Sequence, residues 1–89
     1  MLIRNKAISA ESVGQELILI DETNHRVFIL NQTLSLIWRL LENSDKFEIL
    51  EAAVAEQYSR MDENKVKKIV EKSIQMLIQQ SLVSEVASG

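Results

Sequence analysis

The chain has 89 residues, a formal net charge of −3 and no cysteine. This length supports one small domain without cross-links, and the lack of cysteine excludes disulfides, thiolate metal sites and a cysteine nucleophile. The acidic balance argues against binding nucleic acid through phosphate neutralisation. No apolar run reaches the length of a membrane span, and the polar start does not match a signal peptide. We therefore expect a cytoplasmic domain.

The first third of the chain predicts three β-strands. A short edge strand is expected around Lys6 to Ala10. Glu16 to Ile20 predicts a second strand that is apolar on both faces. The polar stretch Asp21 to Asn24 predicts a reversal in which Asn24 takes a positive φ, and Arg26 to Leu30 returns antiparallel.

The third strand leads directly into the first helix. Asn31 is a good N-cap, because its side chain can accept a hydrogen bond from an amide of the following turn. Apolar residues then recur at helical spacing as far as Leu41; they are Leu34, Ile37, Trp38 and Leu41. Trp38 lies at the centre of this stripe, which favours a place in the core.

Two further helices are predicted. Asp45 and Glu48 match a capping box for the second helix, and Asp62 caps a third that runs to about Gln80. Leu82 and Val83 are expected to pack back onto the core. The fold class is therefore α+β, a three-stranded antiparallel sheet followed by three helices. The domain is expected to span residues 1–84, with a flexible tail over residues 85–89.

No group of residues suggests catalysis. His25 is the only histidine and lies in a predicted turn without a second ligand or a nucleophile nearby, which favours a solvated side chain. The acidic residues fit helix ends and outer helix faces better than an acid–base pair. We predict a non-enzyme without catalytic residues, metal ligands or cofactors.

The third helix has a wider apolar arc than one packing surface needs. Ile69 and Met76 share one shoulder of this arc. An apolar shoulder beside a free strand edge, here that of Val27 to Leu30, meets the requirements for adding an extended peptide as a further strand.

The chain resembles a PqqD-like protein, also called a RiPP recognition element, over nearly its whole length. The resemblance is carried by Glu16 to Asp21, Leu30-Asn31 with Thr33, Ile37-Trp38, Leu40-Leu41, Tyr58, Val70, Ile74, Leu77 and Leu82-Val83. It implies a winged helix-turn-helix-like fold without catalysis. It also implies that the leader segment of a ribosomally made precursor adds beside the third strand and lies against the third helix.

The resemblance also implies which residues bind the leader. They are Val27, Phe28, Ile29 and Leu30 on the receiving strand, and Lys65, Ile69, Lys72, Ser73 and Met76 on the helix. At the position of Ile69 the family often has an acidic residue, and at the position of Ser73 a large aromatic one. At the position of Ile29, just before the Leu-Asn pair, it usually has glycine. These departures predict a more aliphatic and roomier groove.

The favoured function is an adaptor that presents the leader to a separate maturation enzyme. The resemblance is strongest to lasso-peptide proteins that serve a leader peptidase, and a partner of a radical-SAM maturase is the nearest alternative. From another class, a winged-helix DNA-binding domain would use the stripe of Lys65, Lys68 and Lys72, although this stripe also fits a solvated helix face. A homodimer through the apolar hairpin face is a third interpretation.

Overall fold

The structure, a computed structural model, describes residues 1–86. Its elements in chain order are β1 (Leu2–Arg4), β2 (Ile8–Val13), β3 (Glu16–Asp21), β4 (Arg26–Leu30), α1 (Gln32–Leu40), α2 (Phe47–Gln57), α3 (Glu63–Gln79) and β5 (Val83–Glu85). The predicted sheet of three strands followed by three helices is confirmed, with β2, β3 and β4 as its strands.

A second, two-stranded sheet was not predicted. β1 pairs antiparallel with β5, with Leu2 opposite Glu85 and Arg4 opposite Val83. Glu85, the first residue of the predicted flexible tail, pairs together with Ser84 because β1 offers them a backbone partner. Residues 87–89 of the predicted tail lie outside the described residues.

The main sheet has the order β2-β3-β4, and both its pairings are antiparallel. β2 starts two residues later than predicted, at Ile8, and continues to Val13, which faces Glu16 across a two-residue turn. Gly14 opens that turn with φ +64°, a conformation that glycine adopts at little cost. Because β3 is central, β2 and β4 each keep one edge that no other described strand pairs with.

The helices cover one face of this sheet. Leu17 and Leu19 of β3 are buried, as is Leu30 of β4, whereas Ile18 and Ile20 on the opposite face are only half-buried. The helices contribute Ile37, Trp38, Leu50, Val54, Val66, Val70 and Leu77 to the same core. The core position of Trp38 is confirmed, and so is the packing of Leu82 and Val83, which are 0% and 2% exposed.

Two of the three predicted caps are confirmed. The side chain of Asn31 accepts a hydrogen bond from the Leu34 N–H at 2.8 Å, and Asp62 accepts one from the Asn64 N–H at 2.9 Å. The capping box at α2 is wrong, because this helix begins after Lys46 without a side-chain cap. Asp45 instead accepts the backbone N–H of Leu2 at 3.0 Å.

The predicted positive φ at Asn24 is also wrong. His25 takes it, with φ +55°. Asn24 is held by Asp21, which accepts both its backbone N–H and its side-chain amide, so the left-handed residue of the turn comes one position later. His25 is exposed, as expected of a turn residue.

Candidate peptide-binding site

Ser35 shows which backbone groups of β4 face the open edge. Its Oγ accepts the N–H of Leu17 at 2.9 Å and donates to the C=O of Leu30 at 3.3 Å. Since both groups point at one hydroxyl between the strands, Leu17 and Leu30 form a pair of the hydrogen-bonded kind. Hydrogen-bonded and non-hydrogen-bonded pairs alternate along an antiparallel ladder, so Val27 and Ile29 belong to non-hydrogen-bonded pairs with β3. Their N–H and C=O groups therefore point away from β3.

The side chains of β4 divide between solvent and core. Val27 is 64% exposed and Ile29 is 74% exposed, both on the outer face of the sheet. Leu30 is buried, and the half-buried ring of Phe28 lies 5.0 Å from the guanidinium carbon of Arg26. The inward side chains thus hold β4 to the domain while its edge remains accessible.

The predicted helix residues form one continuous strip along α3. Ile69, Ser73 and Met76 are half-buried, and Lys65 and Lys72 are exposed beside them. The hydroxyl of Ser73 donates to the C=O of Ile69 at 2.7 Å, so this polar group is satisfied within the helix. The strip therefore presents a mainly aliphatic surface with a basic border.

Arg26 connects the two elements that carry the predicted residues. Its Nη2 donates one hydrogen bond to the C=O of Gln80, at the C-terminal end of α3, at 3.0 Å. The same nitrogen donates a second to Asp21 Oδ2 at 2.9 Å. The β3–β4 hairpin is thereby fixed to α3 at one end. This link was not predicted, although the opposite charges of Asp21 and Arg26 on either side of a four-residue loop were a visible signal.

Asp21 is the buried anchor of this arrangement, with 1% of its surface exposed. Hydrogen bonds from the Asn24 side chain and then from Arg26 hold the pKa of the Asp21 carboxyl below its ordinary value of 3.8. Asp21 is thus ionised at neutral pH and fixes the position of Arg26.

The described residues offer no group of three histidine, cysteine or acidic side chains placed to bind a metal ion. Within residues 1–86, none of the helices has the length and apolar character needed to cross a bilayer. The predicted leader-binding residues thus lie on an open strand edge and on an aliphatic helix strip.

Comparison with known proteins gives one family and two similar folds. The family described as coenzyme PQQ synthesis protein D (PqqD) matches residues 16–83. A structure of TbiB1 in complex with the TbiA(beta) leader peptide is 22% identical, with a TM-score of 0.82, over 96% of this chain and 98% of that one. A lasso peptide synthetase B1 complexed with its leader peptide is 15% identical, with a TM-score of 0.80, over 94% and 98%. No protein with a curated description matches.

Proposed function

The chain belongs to the PqqD family, and from this membership and the open edge of β4 we propose that it binds the leader segment of a ribosomally made precursor peptide. The leader adds as a fourth strand beside β4, in the manner of β-augmentation. The observation that carries the proposal is the outward direction of the N–H and C=O groups of Val27 and Ile29. The two similar folds support it, because both were solved with leader peptides bound.

Energetics require the helix strip as well as the strand edge. The four outward groups of Val27 and Ile29 supply at most four hydrogen bonds, each worth ~0.5–1.5 kcal/mol net. Micromolar affinity corresponds to about −8 kcal/mol, and association itself costs several kcal/mol. Leader side chains must therefore also bury apolar surface, at roughly 1.5–3 kcal/mol each. Ile69 and Met76 are the half-buried aliphatic side chains that the proposal assigns to this task.

The composition of the strip defines the leader it prefers. Small Ser73 between aliphatic neighbours suits a bulky aliphatic leader side chain. Lys65 and Lys72 form no ion pair with another described residue, which favours a leader with carboxylates at the edge of the groove. The preferred leader is therefore aliphatic on its helix-facing side and acidic at its margin.

The proposed role is that of a non-catalytic adaptor which presents the leader to a separate enzyme. A leader peptidase of a lasso-peptide pathway is the favoured partner, because one of the similar folds is a lasso peptide synthetase B1. An adaptor role requires that the protein hold the leader by its backbone, because the segment of the precursor beyond the leader then stays available for processing.

The test is titration of this protein with fluorescein-labelled leaders synthesised from short precursor-like open reading frames near its gene. We expect saturable binding with a Kd of about 1 µM or below, given the burial argued above, and none with a scrambled leader. Backbone amide exchange then locates the peptide: the amides of Val27 and Ile29 should gain protection, whereas that of Phe28, already bonded to β3, should change little.

Two outcomes would contradict the proposal. One is no saturable binding to any of those leaders. The other is tight binding to duplex DNA with a steep salt dependence, which would favour a winged-helix DNA-binding domain. If the leader binds but protects other amides, the function stands and its placement on β4 is wrong.

A further inference from the structure

A second cleft lies on the opposite side of the sheet from β4. It encloses about 530 Å³ beside β2, and none of the predicted leader-binding residues lines it. Its apolar lining includes Trp38 and Leu41 of the core and the half-buried side chains of Leu2 and Ile8. Its size is within the range of small binding sites in proteins.

The free edge of β2 borders this cleft. Val13 and Glu16 close a two-residue turn, which makes them a hydrogen-bonded pair. By alternation, the backbone groups of Ala10 and Ser12 point away from β3. The N–H of Ile8 points the same way, and it is already taken by the C=O of Asn5 at 3.1 Å.

The edge of β2 therefore resembles that of β4 in its backbone chemistry. Outside the β2–β3 ladder, the N–H and C=O groups of Ala10 and Ser12 have no hydrogen-bond partner within residues 1–86. Ala10 also lines the cleft, and its small side chain leaves room there. An extended chain added to β2 would place every second side chain over the cleft.

The charges around the cleft favour an occupant with a carboxylate. Arg4 is already engaged, since its guanidinium stacks on Trp38 at 5.1 Å and lies 3.9 Å from Glu42. Lys6, in contrast, is exposed and forms no ion pair with another described residue. A segment with bulky apolar side chains at alternate positions and an acidic residue near Lys6 satisfies both features.

A second copy of this chain fits the cleft poorly. Pairing of two β2 strands would direct Ala10 and Ser12 of the other copy toward it, and these side chains are too small to fill about 530 Å³. The same precursor also fits poorly. Strands added to both edges would be four strand spacings apart, roughly 19 Å, so the precursor would have to loop around the domain.

We propose that the edge of β2 and its cleft bind an extended acidic and apolar segment of the processing enzyme while β4 holds the leader. The inference rests on the proposed function, because it assigns the enzyme's side of the adaptor. It places the two partners on opposite edges of one sheet, where both bind at once without competing.

Proline substitutions at equivalent positions on the two edges test this. Ala10→Pro removes an outward N–H from β2, and Ile29→Pro removes one from β4; neither takes a bond from the pairing with β3. The probe is a leader peptidase of the lasso-peptide class from the same genome as this protein; its binding is measured by biolayer interferometry, with leader binding measured in parallel. We expect Ala10→Pro to weaken peptidase binding at least tenfold without changing leader binding. Ile29→Pro should weaken leader binding, and the leader-free form of this variant should bind the peptidase as tightly as the unsubstituted protein does.

Lys6→Glu provides a second variant that leaves the backbone intact, in case Ala10→Pro unfolds by circular dichroism. It should weaken peptidase binding severalfold, with an unchanged melting temperature. Unchanged peptidase binding by the folded variants overturns the inference. Weaker binding of the full precursor to Ala10→Pro also overturns it, because the precursor would then bind the β2 edge. A dimer seen by light scattering and abolished by Ala10→Pro overturns it as well, because a second copy would then occupy that edge. Failure of the unsubstituted protein to bind the leader overturns the proposed function instead.

Discussion

Ile29→Pro should weaken leader binding strongly while leaving the domain folded. The Ile29 side chain is 74% exposed, and its N–H points to the open edge, so the substitution removes little packing and no bond to β3. In the complex it removes one hydrogen bond, worth ~0.5–1.5 kcal/mol. It also leaves a leader C=O without its donor, which brings the total to about 1–3 kcal/mol. We expect a roughly 5- to 150-fold rise in Kd, measured by fluorescence anisotropy with labelled leader.

Phe28→Pro is the matched control one residue away. The N–H of Phe28 faces β3 at the Leu19 pair, so proline there breaks the ladder and removes a half-buried ring. We expect a lower melting temperature together with weaker binding. If Ile29→Pro bound the leader normally, or if it unfolded the domain as Phe28→Pro does, the assignment of outward groups on β4 would be refuted.

Three further predictions follow from single contacts. Ser35→Ala should lower the free energy of unfolding in urea by about 1–3 kcal/mol, because it leaves the buried groups that Ser35 bridges without their partner; Ser9→Ala, exposed and without a side-chain hydrogen bond, should be near neutral. Ile69→Asp should raise the leader Kd at least ~10-fold, since it replaces apolar burial of roughly 1.5–3 kcal/mol with a carboxylate; an unchanged Kd would place the groove elsewhere. Because the fold lowers the pKa of Asp21, its stabilising contribution is present above 3.8 and is lost as pH falls through the lowered value. Asp21→Asn should therefore make the free energy of unfolding depend less steeply on pH in the acidic range, and an unchanged pH dependence would contradict this.

The segment from Glu16 to Leu41 was predictable because its signals are local. β3 and β4 are continuous apolar runs on either side of a polar reversal, and Asn31 marks the first residue before α1. The same holds for α3, where Asp62 and the apolar periodicity agree. The free edge followed from the strand count, since three strands in one open sheet leave two edges unpaired.

The remaining features depend on contacts between distant parts of the chain. β1 and β5 are three residues each and pair from opposite ends of the chain, Leu2 with Glu85 and Arg4 with Val83, so neither carries a recognisable strand pattern of its own. Asp45 has the sequence of a cap, but the Leu2 amide, 43 residues earlier, takes its carboxylate. Arg26 likewise reaches the end of α3. The local sequence around these residues shows whether they are polar or apolar, but it does not show which distant residues they pair with.

Several polar residues that carry the resemblance to the family are not among those proposed to contact the leader. Asn31 caps α1, and the hydroxyl of Thr33 lies 2.6 Å from that of Tyr58 in the segment after α2. Ser35, which is outside that set, bridges β3 to β4. Each of these polar groups fixes the corner between β4 and α1, which determines where the edge of β4 runs. A strand held in place before binding loses less conformational entropy when the leader adds to it. The corner thus supports affinity indirectly.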